Sequence, residues 1–314
     1  MNHLSVLDSR SKEWQSAKKA WNLKEPIGRE EIESRANGVS VFDPVLAQLF
    51  YNWYCVEGGS ILDPFAGGPT RGYVAQELGY TYTGIDISEA QVQANREYGV
   101  ECILGDSEAI LPTLPEHDLV FTCPPYHNLE VYTDHEADLS NMDWDSFSVK
   151  YSNIFKLCYD RLKDNRFMVI VTSEVREPSL TRNYKPGYYR SLVPLTIKSA
   201  EDAGFHYYND FVYLHSAERA GKQMNRLYSL NRKVPRTHQN VLVFIKGNPD
   251  LATLDLDKVR GCECIVDGIP YRTFREAAIC IDPKLVASDI KWRCESPSYP
   301  TYKKGPTAME PFRL

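Results

Sequence analysis

Ser60-Ile61-Leu62-Asp63-Pro64-Phe65-Ala66-Gly67-Gly68 and Asp118-Leu119-Val120-Phe121-Thr122-Cys123-Pro124-Pro125-Tyr126 decide how this chain reads. Each is a short apolar run that stops abruptly in residues unable to extend a strand. Consecutive prolines lack the N–H that a sheet ladder needs, and paired glycines let the backbone turn sharply. Where strands alternate with helices, strands that end this way build ligand sites at the carboxyl edge of an open sheet. Two such tips predict a two-part pocket. One part suits a nucleotide-like ligand and the other a flat amine.

Working outward, further strand signals fall at Tyr80–Ile85, Val100–Leu104, Phe167–Thr172, Tyr207–Leu214 and Val241–Ile245. Helical spacing of apolar residues marks Gly72–Leu78, Glu89–Tyr98, Asp145–Leu162 and Ser191–Ala203. Phe42–Cys55 also predicts a helix, with Asp43 as N-cap and Pro44 at the first helical position. This alternation predicts an α/β fold with a mostly parallel sheet covered on both faces, its last strand pair hairpin-like. The first forty residues are charged, carry Trp14 and Trp21, and show no clear period, which suggests a partly helical arm.

With 314 residues and 43% hydrophobic content, the chain has material for one large domain and an appendage. No apolar stretch approaches the roughly 20 residues of a membrane helix, and the polar N-terminus does not read as a secretory signal. Eight scattered cysteines fit a reducing, cytoplasmic setting in a bacterium or phage-infected host. The net charge of −6 conceals a local asymmetry. Between Arg219 and Arg236 stand six basic residues, Arg219, Lys222, Arg226, Arg232, Lys233 and Arg236, and no acidic one. Phosphate binding is a local matter, so this stripe is a candidate nucleic-acid contact, with a solvated loop as the alternative.

Three successive strand ends carry an acidic residue: Asp63, Asp86 and Asp106. Gly67 and Gly68 allow a ligand close approach, and Asp63 either meets the ligand or orients the loop. An acidic residue about 20 positions past a glycine turn is placed to accept from both ribose hydroxyls, which points to Asp86. Asp106 is a candidate partner for an adenine amino group, and Ile87 for its ring face. With Phe65, Ala66 and Thr122, these residues form the candidate cofactor site. No Gly-Lys-Ser/Thr phosphate loop accompanies them.

These motifs resemble those of the amino-methyltransferases of DNA, which methylate exocyclic nitrogens of adenine or cytosine. The resemblance spans about residues 39–247 and implies a class I methyltransferase fold of seven strands. It implies S-adenosylmethionine as cofactor and double-stranded DNA as partner. Pro69 departs from the pattern, standing where relatives usually carry a second glycine. In such enzymes the catalytic loop reads Asp/Asn/Ser-Pro-Pro-Tyr/Phe/Trp, so Cys123, Pro124, Pro125 and Tyr126 become the candidate catalytic residues. A carbonyl at Cys123 or Pro124 would accept from the amine, and Tyr126 would stack on a base rotated out of the duplex. Cys123 departs from the pattern, because a thiol is a weak hydrogen-bonding partner. Cysteine is closest to serine in size, which tilts the reading toward cytosine N4 and leaves adenine N6 open. Covalent catalysis by Cys123, as in C5 methylation, and a plain strand-ending turn are the competing readings of this loop.

The order of cofactor loop, Pro-Pro-Tyr loop and basic segment resembles the γ arrangement, as in phage-borne or restriction-modification methylases. Residues 176–238 would then read the target DNA. His127 and Asn128 follow the catalytic loop directly. His238 can be read as reaching a flipped base, although a structural histidine is the plainer reading.

Beyond Gly247-Asn248-Pro249-Asp250 the reading gives a linker and a small unit. Val266–Tyr271 suggests a hairpin. Thr273 and Glu276 form a capping box for Phe274–Ile279, and Lys284–Cys294 reads as a second helix exposing Lys291 and Arg293. The pattern resembles small NUMOD-type helix-turn-helix modules, which implies DNA contacts at Lys291 and Arg293. Cys262, Cys264, Cys280 and Cys294 lack the usual zinc spacing, so no metal site is assigned. The expected organisation is an arm at 1–40, a methyltransferase domain at 41–248, a linker at 249–260 and the module at 261–305. Two other functions stay open: methylation of RNA or of a protein glutamine, and a DNA-binding regulator whose methyltransferase fold has lost activity.

Overall fold

The computed structural model describes residues 6–20, 42–127, 131–176, 188–214, 228–229, 232–234, 236–256, 264–267, 269–271, 277–278, 281, 287–296 and 298–304. The chain divides into two compact units, Met1–Gly247 and Asn248–Leu314.

The larger unit is built on an eight-stranded sheet. Its strands are β1 (Val6–Asp8), β2 (Ser60–Asp63), β3 (Thr81–Asp86), β4 (Cys102–Leu104), β5 (His117–Thr122), β6 (Leu162–Thr172), β7 (His206–Leu214) and β8 (His238–Lys246). Their spatial order is β1-β7-β8-β6-β5-β2-β3-β4. Every neighbouring pair is parallel except β6–β8 and β7–β8, which are antiparallel. The order reverses at β2, the central strand that carries the glycine turn, and such switch points open a crevice at the strands' carboxyl ends. This is the class I methyltransferase arrangement, with β1 added beyond the seventh strand.

Burial explains why the central strands were legible. All six residues of β5 are buried, as are the last three of β2, so each reads as an apolar run covered on both faces. The helices flanking them are α2 (Pro44–Tyr54), α3 (Thr70–Glu77), α4 (Glu89–Glu97), α5 (Ser107–Ile110), α6 (Trp144–Asp160) and α7 (Leu192–Ala203). Asp43 caps α2 by accepting from the Val45 N–H, with Pro44 in the first turn. Asp143 does the same for α6 through the Asp145 and Ser146 N–H groups. The main core lies between α6, α7 and the sheet, around Phe147, Tyr151, Phe155, Met168, Ile170 and Phe244.

The N-terminal segment differs from expectation. Val6–Asp8 pairs in parallel register with Val212–Leu214, and helix α1 (Lys12–Ala20) follows, with Trp14 buried. The Trp14 indole donates to Asp43, which Lys18 and the Tyr213 hydroxyl also contact. A three-residue strand has no period of its own to read. Its partner, far along the chain, defines it.

In the smaller unit, Pro249–Leu256 forms helix α8 where a linker was expected, and the Asp250 N–H donates to the Asn248 side chain at its start. Strands β9 (Cys264–Val266), β10 (Ile269–Tyr271) and β11 (Tyr302–Lys304) form an antiparallel sheet in the order β10-β9-β11. The Val266–Tyr271 hairpin falls where the sequence put it, while β11 was not anticipated. Helix α9 (Ala287–Glu295) overlaps the predicted second helix, and Ile290 packs with Val266, Ala277 and Ala278. Most of the predicted first helix lies outside the described residues, as do Cys262 and Cys280. Among the described residues no helix is long and apolar enough to cross a membrane.

Candidate active site

Beneath the glycine turn lies a buried polar knot. Asp63, at the end of β2, is fully buried and accepts four hydrogen bonds. Its Oδ2 receives Arg71 Nε at 2.6 Å and the Tyr82 hydroxyl at 2.8 Å. Its Oδ1 receives the Thr122 hydroxyl at 2.6 Å and the Phe65 N–H at 3.1 Å. The carboxylate is thus saturated by its own chain, and of the two roles open to Asp63 in the sequence, the geometry matches orienting the loop. Thr122 is likewise turned inward and buried. Ala66 is buried too, and its N–H donates to the Ile85 carbonyl.

Arg71 went unnoticed in the sequence. Its guanidinium also donates to the Phe65 and Ala66 carbonyls and stands 4.7 Å from the centre of the Phe42 ring. Burial works against its charge, but the Asp63 carboxylate more than offsets this and holds the pKa above the ordinary arginine value. No local motif announces this residue. Only the turn of α3 brings it under the loop.

The turn itself is held from β3 and α4. Gly67 has φ +53°, a left-handed conformation that glycine adopts without strain. Its N–H donates to Asp86 Oδ2 at 2.7 Å, and its carbonyl accepts from the buried Asn95 amide at 2.7 Å. Asp86 Oδ1 accepts from the Ser88 N–H at 2.8 Å. Burial raises the Asp86 pKa to about 6, although the Ser88 and Gly67 N–H groups pull it down. Asp106 caps α5 through the Glu108 N–H and receives Lys150 Nζ at 2.7 Å. Ser107 donates its hydroxyl to the Pro64 carbonyl, joining this third tip to the first.

At the tip of β5, Cys123 Sγ lies 3.5 Å from the Tyr126 hydroxyl. Gln239 Nε2, from β8, donates to the same hydroxyl at 2.5 Å. Burial, and after it the neighbouring Cys123, hold the Tyr126 pKa well above the usual phenol value. His127 is buried, with Nε2 3.0 Å from the Met142 carbonyl and its ring edge-on to Trp144 and Phe147. Packing accounts for its position. Asn128 lies outside the described residues.

Asp86 and Tyr126 open onto one cavity of about 460 Å³, within the ordinary range for small-molecule sites of about 300–1,000 Å³. Phe65, Gly67, Gly68, Asp86, Ile87 and Asp106 line one part, and Cys123, Pro124, Pro125 and Tyr126 another. Lys150, Gln239 and the N-terminal residues Gln15 and Lys18 complete the wall. Side chains alternate along a strand, so Gln239 reaches this cavity while His238, its neighbour, is not among the lining residues. The His238 imidazole pKa is lowered by burial and by nearby Arg236.

The expected DNA contacts fare unevenly. Arg219, Lys222 and Arg226 lie outside the described residues. Arg232 is exposed, its guanidinium 5.1 Å from the Tyr228 ring centre, and Lys233 is partly exposed. Arg236 is tied to the His238 carbonyl and to Asn240 Oδ1. In the smaller unit Lys291 is exposed, but Arg293 is not the free cation the sequence suggested. It donates to the Tyr302 hydroxyl at 3.1 Å and stacks on Tyr299 and Tyr302, because β11 brings those rings to the helix.

A family model for DNA methylases of the N6/N4 type matches residues 117–304, more than half of the chain. The chain belongs to that family. The match begins on β5, immediately before the Cys123-Pro124-Pro125-Tyr126 loop, and the glycine turn of this methylase lies upstream of it. No curated protein sequence matches the chain. Among solved structures, TrmN from Thermus thermophilus is 17% identical over 65% of this chain and 49% of its own, with a TM-score of 0.44. TTHA0409 of Thermus thermophilus, named as a DNA modification methylase and solved with S-adenosylmethionine, is 18% identical over 46% of this chain and 52% of its own, with a TM-score of 0.34. A SAM-dependent methyltransferase from Archaeoglobus fulgidus is 15% identical over 74% of this chain and 99% of its own, with a TM-score of 0.41. This chain therefore spans about half the length of TrmN and of TTHA0409.

S-adenosylmethionine is the cofactor of the methylase, and the residues present suit it. The donor set offers carboxylates at Asp86 and Asp106 for hydroxyl and amino groups, and apolar walls at Phe65 and Ile87 for a ring. A Cβ placed on Gly68 would stand 3.6 Å from Gln91 Oε1, and both residues line the cavity.

Proposed function

We propose that this methylase transfers a methyl group to the exocyclic amine of a cytosine (N4) or adenine (N6) turned out of double-stranded DNA. One observation carries the reading: the nucleoside-like half, Asp86 with Ile87 and Asp106, and the amine-gripping half, Cys123 to Tyr126, line a single cavity.

An exocyclic amine is a poor nucleophile because its lone pair is delocalised into the ring. Catalysis is then largely orientation, with reacting atoms brought to about 3–3.5 Å in line. S-adenosylmethionine supplies a methyl group bonded to a positively charged sulfur. The chain's own residues do the rest. Asp86 would hold the ribose hydroxyls, Ile87 and Phe65 would flank the adenine, and Asp106, paired with Lys150, would accept from the adenine amino group. The proline-fixed backbone at Cys123 and Pro124 accepts an amine N–H, and the Tyr126 ring lies against the base. The lone pair forms the new N–C bond, the S–C electrons remain on sulfur, and the surplus proton leaves nitrogen for solvent.

A duplex hides the amine, so the base must leave the stack, at a cost of a few kcal/mol, about the scale that phosphate contacts and stacking recover. Arg232 and Lys233 and the stripe around them are the source of those phosphate contacts. Mass spectrometry of nucleosides from the DNA of cells expressing the chain tests the proposal. N4-methylcytosine or N6-methyladenine is expected. Neither product, together with no cofactor binding by calorimetry, would favour an inactive DNA-binding regulator instead.

A further inference from the structure

An amine held for in-line attack needs both N–H bonds occupied, and the loop at Cys123 supplies only one good acceptor. A backbone carbonyl takes one proton. The side chain at the first loop position would take the other, but here it is a thiol, a weak acceptor. The structure brings a second polar side chain to the same place. Gln239 lines the cavity with Cys123 and Tyr126, and its Nε2 donates to the Tyr126 hydroxyl at 2.5 Å. That hydroxyl lies 3.5 Å from Cys123 Sγ, so one phenol oxygen stands between the thiol and the amide. Among the described residues this is the only side-chain hydrogen bond the Gln239 amide makes, which leaves its carbonyl oxygen for a ligand. The strand adds rigidity: Gln239 pairs with Tyr213 in the β7–β8 ladder, and Tyr213 is itself fixed by its hydroxyl to Asp43.

We infer that Gln239 supplies the second hydrogen-bond acceptor for the target amine, from β8 rather than from the first residue of the catalytic loop. The inference rests on the reading of this cavity as an amine-methylating site. It assigns Gln239 two tasks. The amide N–H fixes the Tyr126 ring by its hydroxyl, and the amide carbonyl fixes the amine that lies against that ring. Neither task needs a charge on the side chain.

The test uses the full chain, genomic DNA free of base methylation, and S-adenosylmethionine carrying a labelled methyl group, with single-turnover rates as the readout. Gln239→Met keeps the volume and removes the acceptor. It should slow transfer about 10-fold or more, the scale of one lost hydrogen bond, while cofactor affinity and unfolding midpoint stay near those of the parent. Adding Cys123→Asn to Gln239→Met should restore much of the rate, because an acceptor returns from the other side of the phenol. Tyr126→Phe removes only the hydroxyl pin and should cost less than about 3-fold, the low end of the scale of one hydrogen bond.

Transfer by Gln239→Met at the parent rate would overturn the inference. So would a Tyr126→Phe loss equal to that of Gln239→Met, which would leave Gln239 merely holding the ring, or failure of Cys123→Asn to rescue a variant that remains folded. An unmodified chain that binds the cofactor and labels no DNA would instead refute the amine-methylation reading, and this inference with it.

Discussion

The Asp86 carboxylate accepts the Gly67 N–H at 2.7 Å, tying the end of β3 to the turn that follows β2. The bond places a carboxylate, raised by burial to a pKa of about 6, on the wall of the cavity. In the proposed site, ribose hydroxyls would donate more strongly to its charged form than to its neutral one, so binding lowers the pKa and affinity is linked to pH. Cofactor affinity should therefore fall as pH drops below about 6 and level off above it. Each unit of pH costs at most about tenfold. Calorimetric titration from pH 5 to 8 reads this directly, and Asp86→Asn should bind weakly without the pH step. In the free protein the sign for stability is opposite. The native state holds this proton more tightly than the unfolded chain does, so the group's contribution declines as pH rises from about 4 toward 6. A parent protein with pH-independent affinity over that interval would remove Asp86 from the ribose site.

Under the same turn, Asp63 and Arg71 form an ion pair at 2.6 Å with both side chains almost wholly out of solvent. Removing one partner strands the other charge in a medium that solvates it poorly, at a cost of about 3–5 kcal/mol. Asp63→Ala should lower stability by that amount in urea unfolding. The double variant Asp63→Ala/Arg71→Met should cost less than the sum of the two single changes, because no lone charge remains. Additive losses would mean that the pair is effectively solvated.

Gly72 faces a different constraint. A Cβ there would come within 2.1 Å of Val100 Cγ1 and 2.9 Å of the Tyr82 ring, so α3 sits on β3 at a distance only glycine allows. Tyr82 in turn donates to Asp63. Gly72→Ala should destabilise by about 1–3 kcal/mol and weaken cofactor binding as the knot shifts. Urea unfolding and calorimetry on the same sample check both effects.

These contacts mark the limit of what the sequence disclosed. The strands β2, β3 and β5, the acidic residues Asp63 and Asp86 at the tips of the first two, and the Pro-Pro-Tyr turn after the third were legible because parallel strands read as apolar runs and because turn chemistry is local. Arg71, Asn95 and Gln239 were not, since each acts on a partner that only the fold brings near. The Gln239–Tyr126 bond joins residues 113 apart in the chain. Asp63 illustrates the same limit from the other side: its position was read correctly, but its saturation by Arg71, Tyr82, Thr122 and Phe65 could not be. Arg293 looked like a solvent-facing cation until β11 supplied the rings that cover it.

Cysteine reactivity should separate the cavity from the core. Cys55 and Cys102 are buried, and burial pushes both thiols up to about 12, while buried Cys158 is pushed up as well. The thiolate is the reactive form, so these three should resist iodoacetamide in the native protein. Cys123 is partly exposed on the cavity wall and should be alkylated. Peptide mapping by mass spectrometry reads the pattern. Cofactor present in excess should slow alkylation at Cys123. Equal labelling with and without it would place the cofactor away from this loop.

Tyr126 offers the sharpest separation of binding from catalysis. Its ring packs partly against the main core, while Cys123 and Gln239 hold its hydroxyl, so the side chain enters the cavity with little freedom. Stacking of a base on such a ring contributes about 1–3 kcal/mol. Asp86, Ile87 and Asp106 belong to other strand tips and do not depend on the ring. Tyr126→Ala should therefore reduce methyl transfer by about 5-fold to more than 100-fold, the equivalent of that stacking energy, with cofactor affinity nearly unchanged. Transfer kinetics and calorimetry on one preparation distinguish the possibilities. A parallel loss of cofactor affinity would mean that Tyr126 shapes the nucleoside half, and unchanged transfer would mean that the base rests on some other surface.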